Sequence, residues 1–322
     1  MLKKTQRRKR MLYTKIGSDT VSRIALGSGG FGAKVANDVG FAIMDAFLDK
    51  GGQILDTAAV YGMGISEQTI GDWMRSRKAR EKVVISTKGG HPSLPDWKRR
   101  ITEADIRADM EASLRLLQTD HADLYFLHRD DENQPVEAIM PILDRLVREG
   151  KTRSIGASNW TVARINEANT FARANSMTEF TVSQIFHNGA VINKEGVYDP
   201  TLVAMDDIQH AGYAENGMPV MAYTAQAQGL FSHIRDRGYE GLSEGMIKTY
   251  LNPATRARAE RILAVSAETG ISPTAVSLAY LFHNKAVKTY PILGISRIER
   301  LEEALGVFSL THEIICRLIN KT

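Results

Sequence analysis

The length and composition of the chain are typical of a globular protein. It has 322 residues, of which 43% are hydrophobic and 24% are charged, and these fractions exclude a disordered chain, a collagen-like repeat and a small disulfide scaffold. The length allows either two ordinary domains or one large fold. The 41 basic residues outnumber the 37 acidic ones and give a net charge of +4, which raises the question of a polyanionic partner.

Three features bear on the cellular compartment. Cys316 is the single cysteine, so no internal disulfide can form and a reducing compartment is favoured. Its apolar neighbours indicate a buried helix position rather than a nucleophile. The sequence contains no run of about 18 apolar residues, so we expect no membrane span. Residues 1–10 are basic but lead into no apolar stretch, which argues against a secretory signal. We therefore predict a cytoplasmic protein.

Short apolar segments recur along the chain, and segments with helical periodicity follow almost every one. Thr102 and Asp105, for example, form a capping-box pattern before a helix that has Ile106, Met110 and Leu114 on one face. The apolar segments resemble buried strands of a parallel sheet, in which both faces are covered. We predict eight such strands, near residues 22–25, 53–56, 83–87, 124–128, 154–157, 182–185, 220–223 and 289–292.

Eight strand and helix units without a linker predict a single (β/α)8 TIM barrel, with residues 11–322 as one domain. We expect an N-terminal extension or hairpin before the barrel, and residues 1–10 to be disordered and dispensable for activity. The gap after the seventh strand predicts a long loop over residues 225–252 and then two helices that begin near Pro253 and Ser272. The chemistry of such a barrel lies at the C-terminal ends of its strands.

A glycine-rich segment after the first strand admits a different interpretation. Gly27, Gly29 and Gly32 satisfy G-x-G-x-x-G, and Asp56 ends the next strand, as in a dinucleotide-binding Rossmann unit. The next helix is predicted to begin near Val39, however, so Gly32 does not open it and the helix dipole would not reach a pyrophosphate. We therefore interpret the segment as the first loop at the barrel mouth.

Four polar side chains fall near the ends of neighbouring strands. Asp56 ends the second strand, Lys88 the third and His128 the fourth, while Tyr61 follows Asp56 by five residues. Each has an ordinary alternative role, as a cap, a solvated charge or a packed ring. Together they predict an acid–base site. An ammonium favours the phenolate of a neighbouring phenol, a carboxylate keeps the ammonium charged, and an imidazole donates a hydrogen bond to a substrate oxygen.

This set has no electrophile of its own, so it requires a cofactor. No metal-ligand spacing and no G-x-S-x-G nucleophile elbow accompany it in the sequence. Five short motifs, in order, resemble the aldo-keto reductase family. They are Leu55 to Ala58, Tyr61 with Gly62, Ser86 to Lys88, Leu127 to Arg129, and Gly150 to Asn159. The resemblance runs from about Tyr13 to Val307. It implies a barrel that binds NADP(H) in an extended pose and a Tyr-Lys-Asp-His tetrad that reduces aldehydes and ketones.

The resemblance implies a role for each matched position. Tyr61 would be the general acid, Lys88 paired with Asp56 would tune it, and His128 would orient the carbonyl group. The implied cofactor contacts are Ser158, Asn159 and Gln184 at the carboxamide, Tyr223 stacked on the nicotinamide, Gly30 and Phe31 at the mouth, Thr224, Gln226 and Gly229 along the pyrophosphate, and Gly294, Ser296, Arg297, Arg300 and Glu303 around the adenosine 2′-phosphate. A guanidinium fork suits phosphate, so the arginines favour NADPH over NADH. Ala304 departs from the family, which often has an adenine-contacting Asn there.

Other functions are weighed against the reductase. Some relatives of this fold are NADP(H)-binding, redox-sensing regulatory subunits with very slow turnover, and an intact tetrad does not exclude that role. Without residues 1–10 the chain has 35 basic against 37 acidic residues, so we predict no nucleic-acid and no membrane partner. We expect a small-molecule carbonyl substrate and a monomer or small homo-oligomer. Specificity is expected from the loops after strands one, four and seven and from the C-terminal tail, with Trp97 and Trp160 as either apolar substrate walls or packing residues.

Overall fold

Eight parallel strands close into one barrel with helices around it, as predicted. The structure is a computed structural model that describes residues 11–17, 19–93, 95–197 and 199–319. The barrel strands are β3 (Ala25–Gly27), β4 (Ile54–Asp56), β5 (Val84–Gly89), β6 (Ala122–Leu127), β7 (Thr152–Ser158), β8 (Phe180–Phe186), β9 (Val220–Tyr223) and β10 (Thr289–Gly294). Their order around the barrel is β10-β3-β4-β5-β6-β7-β8-β9.

Helices follow the strands and cover the outside of the barrel. They are α1 (Asn37–Asp49), α2 (Ile65–Arg77), α3 (Glu103–Leu117), α4 (Val136–Arg148), α5 (Val162–Ala174), α6 (Asp207–Asn216), α7 (Leu230–Arg237), α8 (Glu244–Tyr250), α9 (Pro253–Thr269), α10 (Pro273–Phe282), α11 (Ile298–Ala304) and α12 (His312–Ile319). The predicted cap of α3 is present, because Thr102 Oγ1 accepts a hydrogen bond from the backbone N–H of Asp105.

An antiparallel hairpin of β1 (Tyr13–Ile16) and β2 (Asp19–Ser22) precedes the barrel. Its buried side chains Ile16 and Val21 join the cluster of apolar residues inside the barrel. The hydroxyl of Tyr290, in β10, donates to the carbonyl oxygen of Lys15 at 2.7 Å. The hairpin therefore covers the N-terminal mouth of the barrel and leaves the C-terminal mouth open.

Large and small residues fill the interior in a complementary way. Phe126 on β6 projects into the barrel, where it packs with Val182 and Met221. Its neighbour on β7 is Gly156, and a Cβ atom at Gly156 would overlap both the Phe126 ring and the carbonyl oxygen of Val182. Only glycine therefore fits at this position, since closely packed cores do not accommodate an added methyl group without strain.

Three expectations about the elements are corrected. The first barrel strand begins at Ala25, because Ser22 ends the hairpin instead. Residues 225–252 are not one long loop but contain α7 and α8. One face of α7, which carries Leu230 and Ile234, is buried. The Ser243 side chain caps the N-terminus of α8. The first helix, α1, begins at Asn37, two residues before the predicted start.

Four further points concern the chain as a whole. The helices predicted near Pro253 and Ser272 are α9 and α10. Cys316 lies on α12, half-buried rather than buried. Residues 1–10, predicted to be a disordered extension, lie outside the described residues. Among the described helices, no single helix is long and apolar enough to cross a membrane. Only α9 and α10 taken together reach that length and apolar composition, and the pair is bent by 115°.

Candidate active site

A cavity of about 820 Å³ opens at the C-terminal ends of the barrel strands. Asp56, Tyr61 and His128 line its deep end, while Lys88 lies directly beneath the wall and is 1% exposed. The four residues predicted from the strand ends are therefore brought together at one rim. The volume falls in the range of small-molecule and cofactor sites.

The loop between β4 and α2 holds Tyr61. Tyr61 opens a short 3-10 turn that ends at Gly64, and Gly62, Met63 and Gly64 all have positive φ angles of 58°, 55° and 89°. Glycine adopts this left-handed conformation without the steric penalty of a side chain. A Cβ atom at Gly64 would also lie 2.6 Å from a side-chain carbon of Leu116. The two glycines thus permit the tight turn that directs Tyr61 toward the barrel axis.

Lys88 and Asp56 form a buried ion pair with every polar atom engaged. Lys88 Nζ donates to Asp56 Oδ2 at 2.7 Å, to the carbonyl oxygen of Thr57 at 2.6 Å and to the Tyr61 hydroxyl oxygen at 3.4 Å. Asp56 Oδ1 accepts hydrogen bonds from Ser86 Oγ and Gln184 Nε2. Burial by itself lowers the pKa of Lys88, but the adjacent Asp56 and Tyr61 outweigh it and the pKa is raised. The ammonium is therefore charged at neutral pH.

His128 follows β6 and stands edge-on to Tyr61, with the two ring centroids 5.8 Å apart. Its Nδ1 atom is buried and has no hydrogen-bond partner among the described residues. Burial, together with the nearby charges of Lys88 and Arg129, lowers the pKa of His128 well below its ordinary value. The ring is therefore neutral at physiological pH. His128 lines the cavity and its Nδ1 is buried, so Nε2 is the ring nitrogen that can face a ligand. In the tautomer protonated on Nε2, the ring can donate to a ligand oxygen.

Ser158, Asn159 and Gln184 line the cavity beside this group. Asn159 is already engaged on both sides of its amide: Nδ2 donates to the carbonyl oxygen of His128 and to Ser158 Oγ, and Oδ1 accepts from the Tyr223 hydroxyl at 2.6 Å. Gln184 Nε2 donates a hydrogen bond to Asp56 Oδ1. Asn159 therefore connects several parts of the wall, whereas Ser158 and the Gln184 carbonyl are the groups more open to a ligand.

Tyr223, at the end of β9, presents an aromatic surface to the cavity. Its ring stacks on Phe186 with the centroids 5.6 Å apart and the planes 15° apart. Because Phe186 covers one face and does not line the cavity, the opposite face of Tyr223 is the one available to a planar ligand. Phe186 was not predicted, although its position at the end of β8 was a usable signal.

The far end of the cavity is formed by the loops after β9 and β10. Gln226 connects them, because its Oε1 atom accepts a hydrogen bond from the backbone N–H of Gly294 at 3.0 Å. Arg300 Nη1 donates to Glu303 Oε2 at 2.7 Å. The predicted residues that line this end are Thr224, Gln226, Gly229, Gly294, Ser296, Arg300 and Glu303, and Gly30 lines the rim near the first loop.

Two predicted cofactor residues do not line the cavity. Phe31 is 2% exposed and packs on Gly40 of α1, so its ring belongs to the core. Arg297 is the exposed residue just before α11 and lies outside the wall. Trp160 is fully buried against Phe180 and is a packing residue, and Trp97 does not line the cavity either.

The cavity also has lining residues that the sequence did not single out. His91 and Arg129 follow Lys88 and His128 closely, so the same strand-end rule could have found them. Leu202 comes sixteen residues after the end of β8, and no local signal marks it. The others are chiefly Lys34, Val60, Gln228, Ser232, His233, Asp236 and Thr274. The described part of the C-terminal tail does not reach the cavity, contrary to expectation, because α12 packs on α9 and its Leu318 carbonyl accepts from Tyr280.

Comparison with known proteins gives a consistent picture. A norsolorinic acid reductase of Aspergillus flavus is 29% identical over 312 residues, which cover 91% of this chain and 76% of the relative. The uncharacterized oxidoreductase YrpG of Bacillus subtilis is 31% identical over 96% of this chain and 95% of its own length. The putative aryl-alcohol dehydrogenase AAD14 of Saccharomyces cerevisiae is 30% identical over 87% of this chain and 75% of its own length.

All three names describe oxidoreductases. The model of the Aldo/keto reductase family matches residues 23–318, which include the whole barrel and each of the four residues at its deep end. The chain therefore belongs to the aldo/keto reductase family.

Proposed function

We propose that this protein is an NADPH-dependent carbonyl reductase that converts aldehydes and ketones to alcohols with Tyr61 as the general acid. The observation that carries the proposal is the contact of the buried Lys88 ammonium with both Asp56 Oδ2 and the Tyr61 hydroxyl, at 2.7 and 3.4 Å. Among the described residues, no cluster of three or more potential metal ligands lies at this rim.

The four side chains act on one oxygen atom of the substrate. Tyr61 donates its proton to the carbonyl oxygen, and the Lys88 ammonium stabilises the phenolate that remains. Asp56 keeps Lys88 in place and charged. His128 Nε2 donates a hydrogen bond to the same oxygen and so fixes its direction. The edge-on arrangement of His128 and Tyr61, with centroids 5.8 Å apart, allows both donors to reach a single atom.

The cavity fits a nicotinamide dinucleotide, which when bound supplies the hydride. The open face of Tyr223 is suited to stacking on a planar ring, and Ser158 and the Gln184 carbonyl are suited to a carboxamide. Asn159 contributes by holding Tyr223 and the backbone next to His128, both of which it contacts. Gly294 has open space where a Cβ atom would lie, so the nucleotide can approach the backbone closely there.

The preference for NADPH rests on Arg300. Arg300 lines the far end of the cavity, and its side chain is 46% exposed, while that of its partner Glu303 is 27% exposed. A 2′-phosphate carries more charge than a carboxylate and can accept the bidentate guanidinium contact. It would therefore compete with Glu303 for Arg300, whereas the 2′-hydroxyl of NADH would leave the Arg300–Glu303 pair unchanged.

Replacement of Tyr61 by Phe tests the proposal. Removing the proton donor should lower the turnover of a simple aldehyde by about 100-fold or more, the usual contribution of general acid catalysis. NADPH binding, measured by fluorescence titration, should stay within about threefold of the wild-type value, because the cofactor contacts are unchanged. The same titration with NADH tests the cofactor preference.

Tyr239→Phe is the matched control, since Tyr239 lies outside the cavity and packs on Arg256. It should turn over at the wild-type rate. Wild-type turnover by Tyr61→Phe would contradict the assignment of the acid. A wild-type protein that binds NADPH tightly but reduces no aldehyde or ketone would contradict the reductase and favour the regulatory subunit.

A further inference from the structure

His91 has no part in the tetrad, yet it forms part of the cavity wall next to the reacting groups. It follows β5 after the turn at Gly90, whose backbone N–H donates to Asp109 Oδ2 at 2.8 Å and so anchors the turn. Its ring neighbours two others: it stands edge-on to His128 with the centroids 4.9 Å apart, and the Trp97 ring centroid lies 6.3 Å away. The ring is therefore held in place beside the carbonyl-orienting histidine.

The hydrogen bonds of His91 determine its tautomer. Nδ1 lies 2.8 Å from the carbonyl oxygen of Pro92, and because a carbonyl only accepts, Nδ1 carries the proton. Burial lowers the pKa of His91, although the bond to Pro92 acts in the opposite direction, so the ring is neutral. Nε2 is then a lone-pair acceptor. It has no hydrogen-bond partner among the described residues, and it is not fully buried.

The neighbouring groups at this end of the cavity are donors. In the proposed mechanism, the Tyr61 hydroxyl and His128 Nε2 both donate to the substrate oxygen. The Arg129 guanidinium is occupied, since it donates to Thr201 Oγ1, to the carbonyl oxygen of His128 and to Asp199 Oδ2. An acceptor beside two donors is complementary to a ligand that carries a hydroxyl group beside a carbonyl group.

Charge narrows the class of ligand further. Lys88 is neutralised by Asp56, and Arg129 by Asp199, through contacts of 2.7 and 2.9 Å. The two histidines are neutral. The deep end of the cavity therefore offers no unpaired charge among the described residues, and an uncharged substrate fits it better than a carboxylate or a phosphate.

We propose that His91 is a specificity-determining residue whose Nε2 accepts a hydrogen bond from a hydroxyl group on the carbon next to the reacting carbonyl, so that the preferred substrates are uncharged 2-hydroxy aldehydes and 2-hydroxy ketones. This inference rests on the proposed reductase function and names the substrate class of the same site. The product is the corresponding 1,2-diol.

Three ketones of similar size test the substrate class with the wild-type protein and NADPH. Hydroxyacetone carries the donor, butan-2-one replaces the hydroxyl by a methyl group, and methoxyacetone keeps the oxygen but lacks the proton. We expect kcat/KM for hydroxyacetone to exceed that of each of the others by about tenfold, because both analogues leave Nε2 without a donor and bury it. Equal values for the three ketones would overturn the inference.

Two variants of His91 test whether its Nε2 atom is the hydrogen-bond acceptor. His91→Asn keeps a donor at the position of Nδ1 for Pro92 but removes the acceptor at Nε2, so the preference for hydroxyacetone should fall to about threefold or less. His91→Gln places an amide oxygen near the position of Nε2 and should retain most of the preference. His312→Asn, in the exposed first turn of α12, is the control and should retain it fully.

The outcomes for the two proposals are distinct. If His91→Asn keeps the full preference, His91 is not the acceptor and the inference fails, while the reductase assignment stands. If the wild-type protein reduces none of the three ketones and no simple aldehyde, the proposed function itself fails. If His91→Gln retains the preference for hydroxyacetone and His91→Asn does not, the inference is supported, because a merely structural role would affect all three ketones equally.

Discussion

At the scale of single residues, the buried pair of Lys88 and Asp56 determines which substitutions are informative. Both side chains are almost fully buried, at 0% and 4% exposure, and removing one partner of such a pair costs about 3–5 kcal/mol, because the other charge is left uncompensated. Variants at either position would lose stability along with activity. Tyr61 is the better test of the chemistry, since Phe keeps its ring and removes only the hydroxyl.

The protonation state of His128 gives a prediction at the same scale. Burial and the charges of Lys88 and Arg129 lower its pKa well below the ordinary value of 6.5. A lowered pKa means that the neutral form persists as the pH falls through 6.5, so His128 remains a neutral hydrogen-bond donor from pH 8 down to pH 6. We expect its side-chain nitrogen resonances, in protein labelled with ¹⁵N-histidine, to keep the neutral pattern over this interval.

The spectrum of a His128→Asn variant identifies the His128 resonances, because these should be the ones that disappear. Protonation of His128 with a midpoint at or above pH 6.5 would contradict the prediction. The role in the proposed mechanism would then change from a neutral donor to a charged one, and kcat/KM would depend on the pH near neutrality.

At the scale of elements, the segment after β8 contributes to one wall of the cavity and is hydrogen-bonded to residues at the ends of neighbouring strands. Asp199 Oδ2 accepts from Arg129 Nη2 at 2.9 Å, and Asp199 Oδ1 accepts from the backbone N–H of Thr201. Val203 pairs with Phe186 and also donates to Asn159 Oδ1. These bonds position Leu202 at the cavity wall. The segment after β8 therefore contributes to the cavity wall, whereas the sequence predicted specificity from the loops after the first, fourth and seventh barrel strands and from the C-terminal tail.

The Asp199→Asn variant tests whether the Arg129–Asp199 pair positions the segment after β8. The amide keeps an acceptor for Thr201 but leaves the guanidinium of Arg129, a residue that is 6% exposed, without its counter-charge. We expect KM for a carbonyl substrate to rise by roughly fivefold, about 1 kcal/mol, with a smaller change in kcat, because a displaced wall weakens binding in the ground state and the transition state alike. Steady-state kinetics at saturating NADPH measures both constants.

Glu268→Gln is the control for this pair. It removes one charge from an exposed ion pair with Arg317, far from the cavity, whose side chains are 51% and 49% exposed, and such pairs contribute little. Its KM should equal that of the wild type. An unchanged KM in Asp199→Asn would show that the Arg129–Asp199 pair does not position the wall.

At the scale of the whole molecule, the two ends of the barrel differ: the N-terminal mouth is closed, and the C-terminal mouth is open to the cavity. The hairpin of β1 and β2 covers the N-terminal mouth, and its start is anchored: Met11 is 5% exposed within the core, and the Leu12 carbonyl accepts from the N–H of Arg23 at 2.7 Å. These contacts begin where the basic segment of residues 1–10 ends. The net charge of the chain is positive only because of that segment.

A chain that starts at Met11 should therefore keep its fold and its activity. We expect its midpoint of thermal unfolding to lie within about 2 °C of the full-length value and its kcat/KM to be the same, because no described contact is removed. A chain that starts at Asp19 is the comparison. It loses β1 and exposes the interior near Val21, so its midpoint should fall by several degrees. Loss of activity on removing residues 1–10 alone would contradict the prediction.

Much of the fold and of the site follows from local patterns in the sequence. Strands of a parallel barrel are buried on both faces, so their apolar runs are recognisable, and residues just after such runs must lie at one rim. This rule led to Asp56, Tyr61, Lys88 and His128, and it would also have led to His91. It failed for residues 225–252, where α7 and α8 have short apolar faces that resemble a loop pattern.

The sequence by itself thus determined the barrel, its eight strands and the side chains at its open rim, because each depends on periodicity and on position relative to a strand end. Only the tertiary structure decided the rest. It placed Phe31 in the core and Leu202 at the wall, occupied the Asn159 amide with four neighbours, and left His91 Nε2 open. These features depend on contacts between residues far apart in the chain, and no local pattern encodes which partner a buried polar atom will find.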